Sequence, residues 1–181
     1  MKTMLELEIV NVVATADLRQ QVDLVDISQL PYTIFDQEIY GGRVAYLKTP
    51  AMHGKVTIFP SGKLISVGSK SPEQAQQDLD ATVNALASSG LIEAVEAIAN
   101  LRNIVAVQNL EKLLDLEGLA LLTYGIYEPE QFPGMILRRD EPKVTYLIFA
   151  SGKVVIAGSR SIEDLRDASE NIKKIIEDND P

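Results

Sequence analysis

The sequence predicts an α+β fold made of two tandem, pseudo-symmetric copies of one unit, and three observations carry that reading. Residues recur 92 positions apart from Asn11 to Pro50, among them Asn11 and Asn103, Ala14 and Ala106, Leu18 and Leu110, Tyr32 and Tyr124, Gly42 and Gly134, and Pro50 and Pro142. From Ile58 onward the spacing is 90, pairing Ile58-Phe59 with Ile148-Phe149 and Ser61-Gly62-Lys63 with Ser151-Gly152-Lys153. Each copy places several strand-like runs before one long helix-like stretch, whose apolar stripe suffices for one face of a sheet. Two copies at this period are too long for a solenoid unit and too few for an array, so they read as two half-domains, 1–92 and 93–181. The matched prolines put the two surplus residues of the first copy between Pro50 and Ile58, in Ala51-Met52-His53-Gly54.

Each copy opens on a β-branched run, Glu8 to Ala14 and Asn103 to Val107, that reads as a strand. A short helical or turn segment follows near Asp23–Leu30 and Asp115–Leu122. Strands are expected at 32–36, 43–47 and 55–59 in the first copy and at 124–128, 135–139 and 143–149 in the second. The Ser-Gly turns at 61–62 and 151–152 then lead into strands 64–67 and 154–157. Ser71 and Ser161 suit helix N-caps, each with Glu two residues on, in the first turn. The stripes Ala75, Leu79, Thr82/Val83, Leu86 and Leu165, Ala168, Ile172, Ile175/Ile176 keep helical spacing and would cover one sheet face. Alternation allows Val13, Phe59, Ile65, Val67 and their counterparts Val105, Phe149, Val155 and Ala157 to lie on the other face, where they would form a binding surface or be covered by a second layer.

Composition narrows the function. The 181 residues hold no Cys and one His, His53, with no Gly-rich phosphate loop and no metal-ligand spacing, so neither catalytic residues nor a cofactor or metal site is expected. No apolar run approaches the ~18 residues of a membrane span, and residues 1–10 lack a secretory pattern, which places the chain in the cytoplasm or on the nucleoid. The net charge of −9 argues against a polyanion partner unless charge is segregated. It is segregated: acids gather in the helices and in 111–117 and 128–130, and strands carry almost none.

The second copy is the more informative. Tyr127-Glu128-Pro129-Glu130-Gln131-Phe132-Pro133-Gly134, Pro142-Lys143 and Leu147-Ile148-Phe149-Ala150-Ser151-Gly152-Lys153-Val154-Val155 together resemble the TATA-box-binding protein family in its archaeal form, and the resemblance spans nearly the whole chain from Ile9. It implies a saddle: a ten-stranded antiparallel sheet, four helices on the convex side, and a concave face seated in the minor groove of double-stranded TATA promoter DNA. By that resemblance Phe132, Phe149 and Phe59 match wedge aromatics that bend the DNA, with Pro133 beside the first, and Tyr40 stands where a fourth Phe is usual. Asn11 and Asn103 match the pair that meets the central base pairs. Val13, Ile65, Val105, Leu147 and Val155 match apolar groove positions, and Lys63, Arg138, Lys143 and Lys153 match phosphate-facing ones. Glu128 and Glu130 match the docking site for transcription factor B, through which RNA polymerase is recruited indirectly. An open apolar face also suits a homodimer when the protein is free.

The chain departs from the pattern at several positions, most of them in the first copy. Thr is usual at Val67 and Ala157, so two base-directed hydroxyls are missing, at about 1 kcal/mol each. Tyr40 adds a phenol to a wedge, and Tyr46 replaces an expected Arg. Two readings follow: a promoter-binding general transcription factor, or a divergent relative serving mainly as a protein-interaction module with weak or altered DNA binding.

Overall fold

The computed structural model describes residues 7–38 and 40–179. Part of the sequence reading of residues 1–10 falls on 1–6, outside them. The chain divides into two compact units: 11–102, and 103–179 with 7–10.

The first unit carries β1 (Leu7–Asp17, whose first four residues belong to the other unit), α1 (Leu24–Ile27), β2 (Thr33–Ile34), β3 (Ala45–Leu47), β4 (Lys55–Ile58), β5 (Lys63–Ser69) and α2 (Pro72–Ser88). Its strands run in the order β2-β3-β4-β5-β1, with antiparallel neighbours. The second unit carries most of β6 (Asn100–Asn109), then α3 (Leu116–Thr123), β7 (Gly134–Asp140), β8 (Lys143–Phe149), β9 (Lys153–Ser159) and α4 (Ile162–Asn179), in the antiparallel order β6-β9-β8-β7. Nine strands are present among the described residues, against ten expected. The tenth, predicted at 124–128, is reduced to one bridge, Ile126 to Ile136. Tyr124 and its counterpart Tyr32 are both left-handed, yet β2 follows Tyr32; the difference is at the next residue, where Thr33 pairs with Leu47 and the second repeat has Gly125, which weakens a strand.

Both long helices start where a hydroxyl can replace missing intrahelical acceptors: Ser71 Oγ accepts from Gln74 N at 3.1 Å and Ser161 Oγ from Asp164 N at 3.0 Å. Leu79, Val83 and Leu86 of α2 join Ala45, Leu47, Val56, Ile58 and Leu64 of the sheet in one buried cluster. Leu165, Ala168, Ile172 and Ile176 of α4 are buried on the corresponding side of the second unit. Burying these stripes stabilises each helix on its sheet by roughly 1.5–3 kcal/mol per large side chain. Among the described residues no helix is long and apolar enough to cross a membrane.

The ladders relocate the surplus residues of the first repeat. Tyr46 faces Thr57 across one ladder and Ile34 across the other, just as Ile136 faces Leu147 and Ile126. The repeats are therefore already in the 90-residue spacing by β3, and the two extra residues lie between Ile34 and Ala45. The turn at 51–54 is no insertion, because Pro50-Ala51-Met52-His53 answers Asp140-Glu141-Pro142-Lys143 in length. The matched prolines misled because a two-residue slip leaves every side chain on its original face.

Candidate nucleic-acid interface

Alternation along the strands sends one set of side chains to the helices and leaves the other set only half-buried. In the second unit Val105 faces Ala157, which faces Thr145, which faces Arg138. The next row is Val107, Val155, Leu147 and Ile136. In the first unit the rows are Val13, Val67 and Lys55, and Thr15, Ile65, Thr57 and Tyr46. The apolar residues nominated from sequence thus share the open face of their own unit. No helix of that unit covers them.

Both asparagines sit at a break in register. The ladder between β1 and β5 slips between Val12 and Val13, and that between β6 and β9 between Ile104 and Val105, bulging out Gly68 and Gly158 at φ 103°. Only glycine takes that backbone angle readily. Each bulged N–H has lost its ladder acceptor and donates instead to a side-chain amide oxygen, Gly68 N to Asn11 Oδ1 and Gly158 N to Asn103 Oδ1, both at 2.9 Å. An N–H requires an acceptor, so this bond fixes which way each amide points. The oxygen is committed to the fold, and the Nδ2 group is left as a pair of donors. A strand-end amide satisfying the backbone and an amide presenting N–H groups are here the same residue.

Phe132 and Phe149 meet edge to face with ring centroids 5.7 Å apart. Their approach depends on Gly134, where an added Cβ would lie 2.8 Å from the Phe132 ring and 3.2 Å from that of Phe149. A tight turn delivers Phe132: the Glu128 carbonyl accepts from both Gln131 N and Phe132 N, leaving Glu128, Glu130 and Pro133 exposed. The first unit has a different end. Tyr40, at φ 54° and 68% exposed, begins a 3-10 turn, Tyr40–Gly42, in the loop that holds the two extra residues. With Tyr46, Phe59, Arg43, Ile65 and Val67 it lines an open cavity of about 790 Å³. Desolvation, and then the neighbouring Tyr40 phenol, raise the Tyr46 pKa above its ordinary value.

Lys63, Lys143, Lys153 and Arg138 are all exposed, the two lysines at 63 and 153 opposite Asp17 and Asn109 at the ends of their strands. The corrected register changes one expectation. Tyr46 answers Ile136, and the counterpart of Arg138 is Lys48, so no basic residue has been replaced by Tyr46. Lys48 is nevertheless turned to its own hairpin, its Nζ bonded to the carbonyls of Met52 and His53 (2.8 Å to His53). Lys55 stands over the Tyr46 ring, 4.4 Å from its centroid. The open faces also hold Thr57, Thr145, Ile136, Lys55 and Tyr46, which the sequence reading did not nominate. Strand alternation was the signal that would have found them.

This geometry can be set beside known proteins. The family profile for “Transcription factor TFIID (or TATA-binding protein, TBP)” matches twice, at residues 6–88 and 98–179. The chain belongs to the TATA-binding protein family. It is 40% identical over 173 residues to the TATA-box-binding protein of Methanothermobacter thermautotrophicus, covering 94% of each chain. The corresponding protein of Cenarchaeum symbiosum is 39% identical over 162 residues, covering 89% of this chain and 88% of that one. The solved structure of the Methanococcus jannaschii TBP superposes with a TM-score of 0.87 at 34% identity, over 96% of this chain and 99% of the other. The profile matches once in each repeat of this chain, and the bulge-anchored asparagine occurs in both.

Proposed function

We propose that this chain is a general transcription factor that lays its open faces in the minor groove of TATA promoter DNA, bends the duplex, and recruits transcription factor B and, through it, RNA polymerase. The observation that carries this reading is the doubled Asn-Gly bulge. Each amide turns two N–H donors outward, and the A·T minor groove offers only the acceptors N3 and O2, whereas G·C adds a donor that would meet them badly. The half-buried apolar rows beside each Asn suit a widened groove, where burial supplies affinity that the net charge of −9 does not. Phe132 and Phe149, held as a pair in the second unit, and Phe59 in the first are the wedges that would unstack base steps. Tyr40 would bring its hydroxyl into the groove beside Phe59. Lys63, Lys143, Lys153 and Arg138 would meet phosphates.

The loop with Glu128 and Glu130 would receive a basic surface of transcription factor B. The first repeat lacks that loop's sequence, so a nearly symmetric binder acquires a direction. The role is one of binding on the nucleoid, without a catalytic step.

The test is fluorescence anisotropy of a labelled TATA duplex and a GC-rich duplex at one salt concentration, with and without transcription factor B. TATA-selective binding supports the reading. Absence of DNA binding under both conditions would overturn it in favour of a protein-interaction module, which the apolar Val67 and Ala157 would also suit. Glu130→Arg should weaken the ternary complex at least fivefold and leave binary DNA binding unchanged; loss of both would show that the loop itself had collapsed.

A further inference from the structure

Arg102 lies at the open face of the first unit. It is exposed, one residue before Asn103, and its Nε donates to Thr15 Oγ1 at 3.0 Å. Thr15 lies on the open face opposite Ile65, so the bond draws the guanidinium onto that face. Both residues line an open cavity of about 520 Å³ together with Phe59, Lys63 and Ile65. A guanidinium has five N–H donors in a rigid fork, and holding Nε leaves the two terminal nitrogens to grip an oxyanion. Such a grip fits a backbone phosphate better than a base edge, because two parallel N–H groups match two phosphoryl oxygens. Asp17 also lines the cavity, but its Oδ1 is engaged by Arg19 N at 2.8 Å.

The pseudo-symmetric positions sharpen the point. The counterpart of Arg102 is Val10 and that of Thr15 is Val107, so the second repeat has two apolar residues where the first has a hydrogen-bonded cation. The fold therefore does not require a polar pair here.

We propose that Arg102, positioned by Thr15, grips a phosphate of the bound DNA next to the Phe59 wedge, in the first repeat only, and so contributes to the direction in which the protein sits on a nearly palindromic site. The proposal rests on the promoter-binding reading and adds a DNA-side source of direction to the loop of Glu128 and Glu130.

The experiment measures the affinity of full-length wild type, Arg102→Ala, Arg102→Lys and Val10→Arg for the labelled TATA duplex across a salt series, with thermal melting as a check on folding. One lost phosphate contact should reduce the slope of log K against log salt by about 0.9 and weaken binding about fivefold near 0.15 M salt. Arg102→Ala is expected to show both effects, equally on TATA and control duplexes, while Arg102→Lys keeps the slope. Val10→Arg should steepen the slope and, with donor and acceptor dyes at opposite ends of the duplex and one on the protein, reduce the bias between the two orientations. If wild type binds and Arg102→Ala leaves slope and affinity unchanged, this proposal fails while the promoter reading stands. If wild type binds no DNA, both fail. A loss confined to TATA duplexes would overturn the phosphate assignment in favour of base contact.

Discussion

In the first repeat a buried carboxylate ties the β3–β4 turn to the long helix, and in the second a phenol on the matching hairpin does so. Asp78 of α2, 1% exposed, accepts from His53 N at 2.8 Å, Gly54 N at 2.6 Å and Ser69 Oγ at 2.8 Å, and His53 Nδ1 lies 3.6 Å from it. Its counterpart is Ala168, and there the anchor comes from the sheet: Tyr146, at the position of Val56, donates from its hydroxyl to the Ala168 carbonyl at 2.9 Å. The polar group has changed sides of the same interface while the backbone stayed. A duplicated scaffold can thus exchange its internal anchors, and the exchange leaves a mark: the hydroxyl of Ser159, the counterpart of Ser69, is buried without a hydrogen-bond partner. The faces away from the helices have diverged differently. Both keep the Asn-Gly bulge, but the second ends in an aromatic pair and the first in an extended tyrosine loop.

Breaking the anchors tests whether the two solutions are equivalent. Asp78→Ala should be the most damaging change, because three donors lose one acceptor; a loss of about 3 kcal/mol in chemical denaturation is expected. A loss below about 1 kcal/mol would mean that the turn does not depend on the carboxylate. Phe149→Ala should weaken TATA binding by about 2 kcal/mol, the usual worth of an aromatic stacked on a base, with the melting temperature little changed. Equal affinity would remove Phe149 from the interface. Tyr146→Phe forfeits one hydrogen bond and should cost about 1 kcal/mol of stability. Burial pushes the Tyr146 phenol up to about 12, so it remains a donor at ordinary pH and the effect should not vary between pH 6 and 9.

The smallest effects belong to the missing hydroxyls. Val67→Thr should tighten TATA binding by about 0.5–1 kcal/mol. Ala157→Thr should give less, because Thr145 already places a hydroxyl directly across the ladder from Ala157 while the partner of Val67 is Lys55. Equal gains in anisotropy titrations would contradict that distinction.

Much of this was legible in the sequence. The repeat, the strand and helix order, the Ser71 and Ser161 caps and the alternation that sorts Val13, Val67, Val105 and Ala157 to one face all follow from periodicity. The register of β3 did not, because Pro50 and Pro142 align so well and because a slip of two preserves the inside-outside pattern. The tenth strand falls short because Gly125 stands where Thr33 extends β2, a one-residue difference in a two-residue strand. The double duty of Asn11 and Asn103 required knowing that Gly68 and Gly158 bulge, which depends on pairing between distant strands. Arg102 escaped notice for the same reason: its partner Thr15 is 87 residues away.

On the proposed function, the open faces bend TATA DNA. Resonance energy transfer between dyes at the two ends of a short TATA duplex tests it most directly. Binding should bring the dyes closer on the TATA duplex, and a GC-rich duplex of equal length should show no such change at the same protein concentration. Saturated binding with an unchanged dye separation would contradict the wedge mechanism, and an equal change on both duplexes would contradict the role given to Asn11 and Asn103.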